Sequence, residues 1–193
     1  MNTGEIGCYL SHIKALRMFL AGEAACAVVL EDEIDIPSGT FKNLKAIAAK
    51  LDEFYGDKWD CVNFGSAQRP GFQDTAFVEN GIEVRRSTHM PLSTPGIMWT
   101  RAGVEAYLNS IFAQKIRGPV DTETRSHFGR RGRSFGPADP MTSRLDFSSE
   151  IAVSGSRAQP KGRKGSSTRS KILRHFPDYL NAYIMLRYRR IVK

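Results

Sequence analysis

Three carboxylates stand side by side at Glu31, Asp32 and Glu33, and a fourth follows at Asp35. They come directly after the apolar run Ala25-Cys26-Ala27-Val28-Val29-Leu30. Like charges held this close repel, so each must be solvated or paired. A hard divalent cation, which prefers oxygen ligands, removes that conflict. The spacing therefore reads as a place where a cation and a phosphate-bearing substrate meet. The plainer alternative is a solvated acidic exit from a strand. In extended backbone Glu31, Glu33 and Asp35 point one way and Asp32 the other. One side can hold a cation while the other orients a ribose or a neighbouring loop.

Such a knot needs a rigid support. The run 25–30 has the length and flanks of a buried strand. Before it, Ile6, Tyr9, Leu10, Ile13, Leu16 and Leu20 recur at helical spacing, which predicts a helix over roughly 4–22. Asn2 and Glu5 have the spacing of a capping box. After Pro37-Ser38-Gly39, the positions Phe41, Leu44, Ile47, Ala48 and Leu51 predict a second helix. Trp59–Phe64 reads as the next strand. Asn80-Gly81 between Phe77-Val78-Glu79 and Ile82-Glu83-Val84 is a strong hairpin signal. A strand at 96–99 and a helix at about 101–112 come next. The stretch 113–153 reads as irregular loops over the carboxylate edge. Helix, strand, helix, strand predicts an α/β fold with a mainly parallel sheet. In such sheets ligands bind beyond the carboxyl ends of the strands, where the acidic knot would lie.

The chain has 193 residues and is 41% hydrophobic, enough for one well-cored domain and an appendage. No stretch reaches the roughly 18 to 20 continuous apolar residues of a membrane span. No basic start with an apolar run marks a signal peptide. The three cysteines, Cys8, Cys26 and Cys61, lack metal-ligand spacing and read as reduced structural thiols, which points to the cytoplasm. Charge is unevenly spread. Residues 157–193 hold 11 of the 28 Lys and Arg and one of the 20 Asp and Glu, leaving 17 against 19 before them, a net of −2. The predicted organisation is a body at 1–153, a disordered basic linker at 154–170 and a basic amphipathic helix at 171–193. That tail calls for an anionic partner, a membrane surface or nucleic acid. No nucleic-acid module accompanies the basic cluster Lys161, Arg163, Lys164 and Arg169, so nucleic acid ranks last.

The segment Gly4-Glu5-Ile6-Gly7-Cys8-Tyr9-Leu10-Ser11-His12, followed by Val28-Val29-Leu30-Glu31-Asp32-Glu33, resembles family 25 glycosyltransferases. These are the lipooligosaccharide galactosyltransferases and their relatives. Pro95–Gly103, Pro119-Val120-Asp121 and Ser148-Ser149-Glu150-Ile151 resemble later motifs of that family in the same order. The resemblance implies a GT-A fold, a UDP-sugar donor (usually UDP-galactose), a Mn²⁺-type cation and transfer to a growing lipopolysaccharide or other glycan. By position, Glu31, Asp32 and Glu33 correspond to the donor and metal site, with Asp32 and Glu33 on the cation. Ser11 and His12 belong to the first motif and are candidates for donor contact; a packing role is the alternative for His12. Asp121 is either the acceptor base or a second metal contact. The base that deprotonates the acceptor hydroxyl is Glu33 or Asp121.

Trp59 and Trp99 could stack on a sugar, although both fall in predicted strands and read as core. Arg130, Arg131 and Arg133 could clamp a diphosphate or form a solvated loop. Family members usually carry an earlier strand with an I-N-L-like run, which the sequence lacks ahead of Gly4. The expectation is therefore an N-terminally truncated sheet with an unpaired edge and an incomplete uridine pocket. A non-catalytic family remnant acting as a binding protein is the alternative function. A basic tail at the inner face of the inner membrane fits an enzyme whose acceptor is lipid-anchored.

Overall fold

The structure, a computed structural model, describes residues 1–68 and 73–145. The expected linker at 154–170, the expected tail helix at 171–193 and the motif Ser148–Ile151 lie outside the described residues.

Helix α1 spans Thr3–Ala21. It starts as the sequence predicts. Asn2 Oδ1 accepts from the Glu5 amide at 2.8 Å, and Glu5 Oε2 accepts from the Asn2 amide at 2.9 Å. These two bonds satisfy donors that a bare helix start would leave open. At the other end no basic residue of its own complements the last turn. Arg101, far along the chain, takes that role, donating to Leu20 O at 2.7 Å and Gly22 O at 2.8 Å. The order then runs β1 Cys26–Leu30, β2 Ile34–Asp35, α2 Thr40–Tyr55, β3 Cys61–Asn63, β4 Gln73–Glu79 and β5 Ile82–Ser87. It continues with β6 Gly96–Thr100, α3 Arg101–Leu108, α4 Ile111–Gln114, α5 Val120–Arg131, β7 Ser134–Pro137 and β8 Ser143–Arg144.

Six strands form one sheet in the order β1-β6-β3-β7-β5-β4. The class is mixed α/β, as expected, but the sheet is not mainly parallel. Among the described residues only β3 and β7 pair parallel. The other neighbours, β1–β6, β6–β3, β7–β5 and β5–β4, are antiparallel. The reason is that β6 enters between β1 and β3 and runs against both. β1, β3 and β7 still point the same way, so their carboxyl ends share one edge of the sheet. Among the described residues β1 is an outer strand of this sheet. Val28 and Leu30 are 37% and 39% exposed there.

Alternation along β6 divides the core. Ile97 and Trp99 pack with Tyr9, Ile13 and Leu16 of α1, Val104 and Tyr107 of α3, and Phe128 of α5. Met98 faces the other side, with Val62, Phe64 and Phe135 under Leu44, Ile47 and Leu51 of α2. Trp59 and Trp99 are 2% and 1% exposed, so both are core and neither ring can stack on a sugar.

The described part of the stretch 113–153, up to residue 145, is more regular than its composition predicts. Val120–Arg131 is a helix and Ser134–Pro137 is an inner strand. Helix α5 escapes a hydrophobic-period reading because Glu123, Thr124, Arg125 and His127 lie on its buried side alongside Val120 and Phe128. Its punctuation is nevertheless regular. Asp121 and Glu123 occupy the first turn, Arg130 and Arg131 the last, and Gly132 ends it at φ 59°.

Candidate active site

The carboxyl ends of β1 and β3 are stapled together by one short segment, Ser93-Thr94-Pro95. The Glu31 amide donates to Pro95 O at 2.9 Å. Thr94 Oγ1 donates to Glu31 Oε1 at 2.9 Å. Ser93 O accepts from Asn63 Nδ2 at 3.0 Å and from Ser66 Oγ at 3.1 Å. Gly65 makes the close approach possible: a Cβ there would lie 2.5 Å from Gly96 N and 2.6 Å from Pro95 Cγ. Glu31 is therefore held by backbone and side chain at once.

The rest of the knot is looser. Asp32 and Glu33 form a turn, with Asp32 exposed and Glu33 half-buried. Beyond this turn the chain is anchored by a crossing segment. β8 pairs with β2, with Ile34 opposite Arg144 and Asp35 opposite Ser143, and the Leu145 amide donates to Glu33 O at 3.0 Å. The same segment is tied to the sheet by the Met141 amide on Phe64 O at 2.8 Å.

The helices are aimed at this edge. Arg101 holds the end of α1 beside the start of β1, so α1 begins toward the carboxylate edge. Ser11 and His12 lie midway along it, about 13 Å of helical rise from its first residue. Ser11 is exposed and its hydroxyl donates to Gly7 O at 2.9 Å. His12 is on the packing side, 8% exposed, and burial lowers its pKa and favours the neutral ring. At the far end of α5, Arg131 bonds Asp60 just before β3. The helix therefore runs back from the carboxylate edge, and Asp121 stands at its near end. Asp121 Oδ1 accepts from the Thr122 amide at 2.8 Å. In the same first turn, Glu123 is 7% exposed and pairs with Arg117 at 3.4 Å.

Three arginines are not where a diphosphate clamp needs them. Arg131 hydrogen-bonds the buried Asp60 at the amino end of β3, and Arg133 forms an ion pair with the same carboxylate. Arg130 is exposed in the last turn of α5, at that same end. The expected loop shrinks to the short connection at Gly132 and Arg133, since Arg130 and Arg131 close α5, and of the three only Arg130 is exposed.

Sequence reading missed Asn63, Ser66, Ser93 and Thr94. Their only signal is the small polar run before Pro95-Gly96, and nothing local says that it touches a residue 63 positions away.

The site's donor set is all oxygen, which suits a hard cation. Among the described residues no group of three His, Cys, Asp or Glu forms a closed metal cage. Ions of the Mg²⁺ type ordinarily take one or two carboxylates, with waters and substrate phosphates completing the shell. Asp32 and Glu33 fit that open mode.

Among the described residues no helix is long and apolar enough to cross a membrane. No curated protein matches the chain. The model of glycosyltransferase family 25, described as a lipopolysaccharide biosynthesis protein family, matches residues 1–115. The matched span includes α1, the acidic knot and the whole Ser93–Pro95 staple, and stops short of Asp121. A match to the family model over that much of the 193-residue chain makes this chain a member of glycosyltransferase family 25.

Proposed function

We propose that the chain transfers a sugar from a UDP-sugar donor, with galactose the first candidate, to a growing lipooligosaccharide or lipopolysaccharide glycan. The observation that carries this is the anchored carboxylate turn Glu31-Asp32-Glu33 at the shared carboxyl edge of β1 and β3, in a family 25 chain.

In this reading Asp32 and Glu33 hold a divalent cation, Mn²⁺ first, and Glu31 orients the donor. The cation supplies charge neutralisation for a departing diphosphate. The protein's own groups do the rest. Asp32 is solvent-facing, so its carboxylate is open to a cation that carries the donor phosphates. Glu33 is fixed through its carbonyl by Leu145, which keeps the turn from collapsing. Either Glu33 or Asp121 takes the proton of the acceptor hydroxyl as the glycosidic bond forms. Ser11 and His12 act on the donor side only at a distance, because Ser11 is bonded to its own helix and His12 is packed inside. The basic segment 157–193, read from its sequence, would bring the protein to anionic lipid at the inner face of the membrane.

A thermal-shift screen of UDP-sugars with and without Mn²⁺ tests the donor. A ligand at 100 times its Kd stabilises the native state by about 2.7 kcal/mol. One UDP-sugar should raise the melting temperature, and more so with Mn²⁺. No shift with any UDP-sugar would favour a non-catalytic binding protein built on the same fold. Removing residues 157–193 should lower binding to anionic vesicles; unchanged binding would dismiss the membrane role.

A further inference from the structure

We propose that Thr94 is a positioning residue for Glu31 and that the Ser93-Thr94-Pro95 staple sets donor affinity. The inference rests on the donor reading above.

The geometry is specific. Thr94 is 2% exposed, so its hydroxyl has no access to bulk water. That hydroxyl donates to Glu31 Oε1 at 2.9 Å, while the Glu31 amide donates to the carbonyl of the next residue, Pro95, also at 2.9 Å. Two consecutive residues thus fix both ends of Glu31. The staple itself cannot slide, because Asn63 and Ser66 both grip Ser93 O. A hydroxyl bonded to a carboxylate is a charge-assisted bond and selects one rotamer of a side chain that otherwise has several. Asp32, one residue on, is exposed and lies outside the staple. The acidic knot is therefore divided into a preset member, Glu31, and an adaptable one, Asp32. Preset groups bind without losing rotamer entropy at the moment of contact, which raises affinity without any added contact.

The test is a double-mutant cycle of Thr94→Val and Glu31→Gln, with Thr94→Ser as the conservative control. Two readouts are taken on the full chain: melting temperature without ligand, and affinity for UDP and for a UDP-sugar panel by calorimetry with Mn²⁺ present. Thr94→Val should weaken UDP binding about tenfold, within the range expected for a bond to a charged group. Thr94→Ser should stay within about twofold of wild type, since it keeps the hydroxyl. In the Glu31→Gln background the hydroxyl keeps an amide oxygen but loses the charge, so Thr94→Val should cost clearly less there than in wild type. If wild type binds and Thr94→Val binds equally well, Thr94 is only a core residue and the proposal falls while the donor reading stands. If the Thr94→Val loss is undiminished in the Glu31→Gln background, Thr94 does not act through Glu31, and the proposal also falls. If wild type binds no UDP-sugar, the donor reading fails and takes this proposal with it.

Discussion

Arg131 closes on Asp60 with two bonds, Nε to Oδ2 at 2.6 Å and Nη2 to Oδ1 at 3.2 Å. Asp60 has no exposed surface, and Arg133 Nε reaches the same carboxylate at 3.2 Å. One buried carboxylate thus joins the start of β3 to the end of α5 and the start of β7. Gly103 packs directly on the Asp60 backbone, where a Cβ would clash with its carbonyl. The joint lies at the amino ends of the parallel strands, away from the acidic turn.

Asp60→Ala should cost about 2–3 kcal/mol of stability. Breaking a fully buried pair costs about 3–5 kcal/mol. Here the side chains of Arg131 and Arg133 keep 32% and 26% exposure, so water recovers part of the loss. Urea unfolding measures this. A loss below about 0.5 kcal/mol, the range of ordinary surface changes, would contradict a structural role for the joint. Donor affinity of the folded fraction should not change, because the joint is at the opposite edge.

The pH dependence of stability follows from His127. Burial, aided by the Arg131 cation and opposed by Asp60, pushes its pKa down to about 4. Its ring meets Tyr107 and Phe128 edge-on at 5.3 and 4.8 Å. The unfolded value is near 6.5. Between these two values the unfolded chain binds the extra proton, so stability rises with pH across that window. The contribution is complete above about 6.5, declines as the pH falls, and is gone below about 4. It amounts to about 3 kcal/mol at most. His12, also lowered by burial, acts in the same direction. Denaturation curves at pH 7.5 and pH 4.5 should show a smaller difference for His127→Gln than for wild type. An equal pH difference in the variant would show that other groups carry the effect.

These two features also mark what the sequence could and could not show. The capping box of Asn2 and Glu5 and the Asn80-Gly81 turn, with φ of 50° and 76°, were legible because the interacting residues are neighbours in the chain. The acidic turn was legible because the carboxylates are contiguous. Helix α5 was not, because its buried side carries Glu123, Arg125 and His127 in place of an apolar stripe. The antiparallel insertion of β6 was not, because strand order is set by pairing between segments, and each segment alone reads the same either way. Thr94, Asn63 and Ser66 were hidden for the same reason, since their partners are 63, 30 and 27 residues away.

Trp99 is a core residue, with Tyr107 and Phe128 at 5.7 and 5.2 Å. Trp99→Phe keeps an aromatic ring but removes volume. It should destabilise the fold by about 1–3 kcal/mol, as core truncations do, and leave UDP-sugar affinity within about twofold, since a ring in the core makes no contact with a ligand. Calorimetry on the folded variant decides between packing and stacking. A large drop in sugar affinity with unchanged stability would restore the stacking role that the burial of Trp99 argues against.

Asp32 and Glu33 are the residues on which metal-assisted transfer depends in the proposed site, and they differ in how they are held. Asp32 is exposed. Asp32→Ala should therefore change stability by no more than about 0.5 kcal/mol while abolishing Mn²⁺-dependent transfer. Glu33→Ala should do the same to activity. Its backbone bond to Leu145 is unaffected by the side chain, so the β2–β8 crossing should survive. Glu31→Gln should behave differently. It keeps an oxygen for Thr94 but loses the charge, so it should weaken donor binding and leave the Mn²⁺ requirement intact. Activity assays across a Mn²⁺ titration separate the three. Transfer that persists in both Asp32→Ala and Glu33→Ala would refute the cation site. A raised Mn²⁺ requirement in Glu31→Gln would move Glu31 from the donor to the metal.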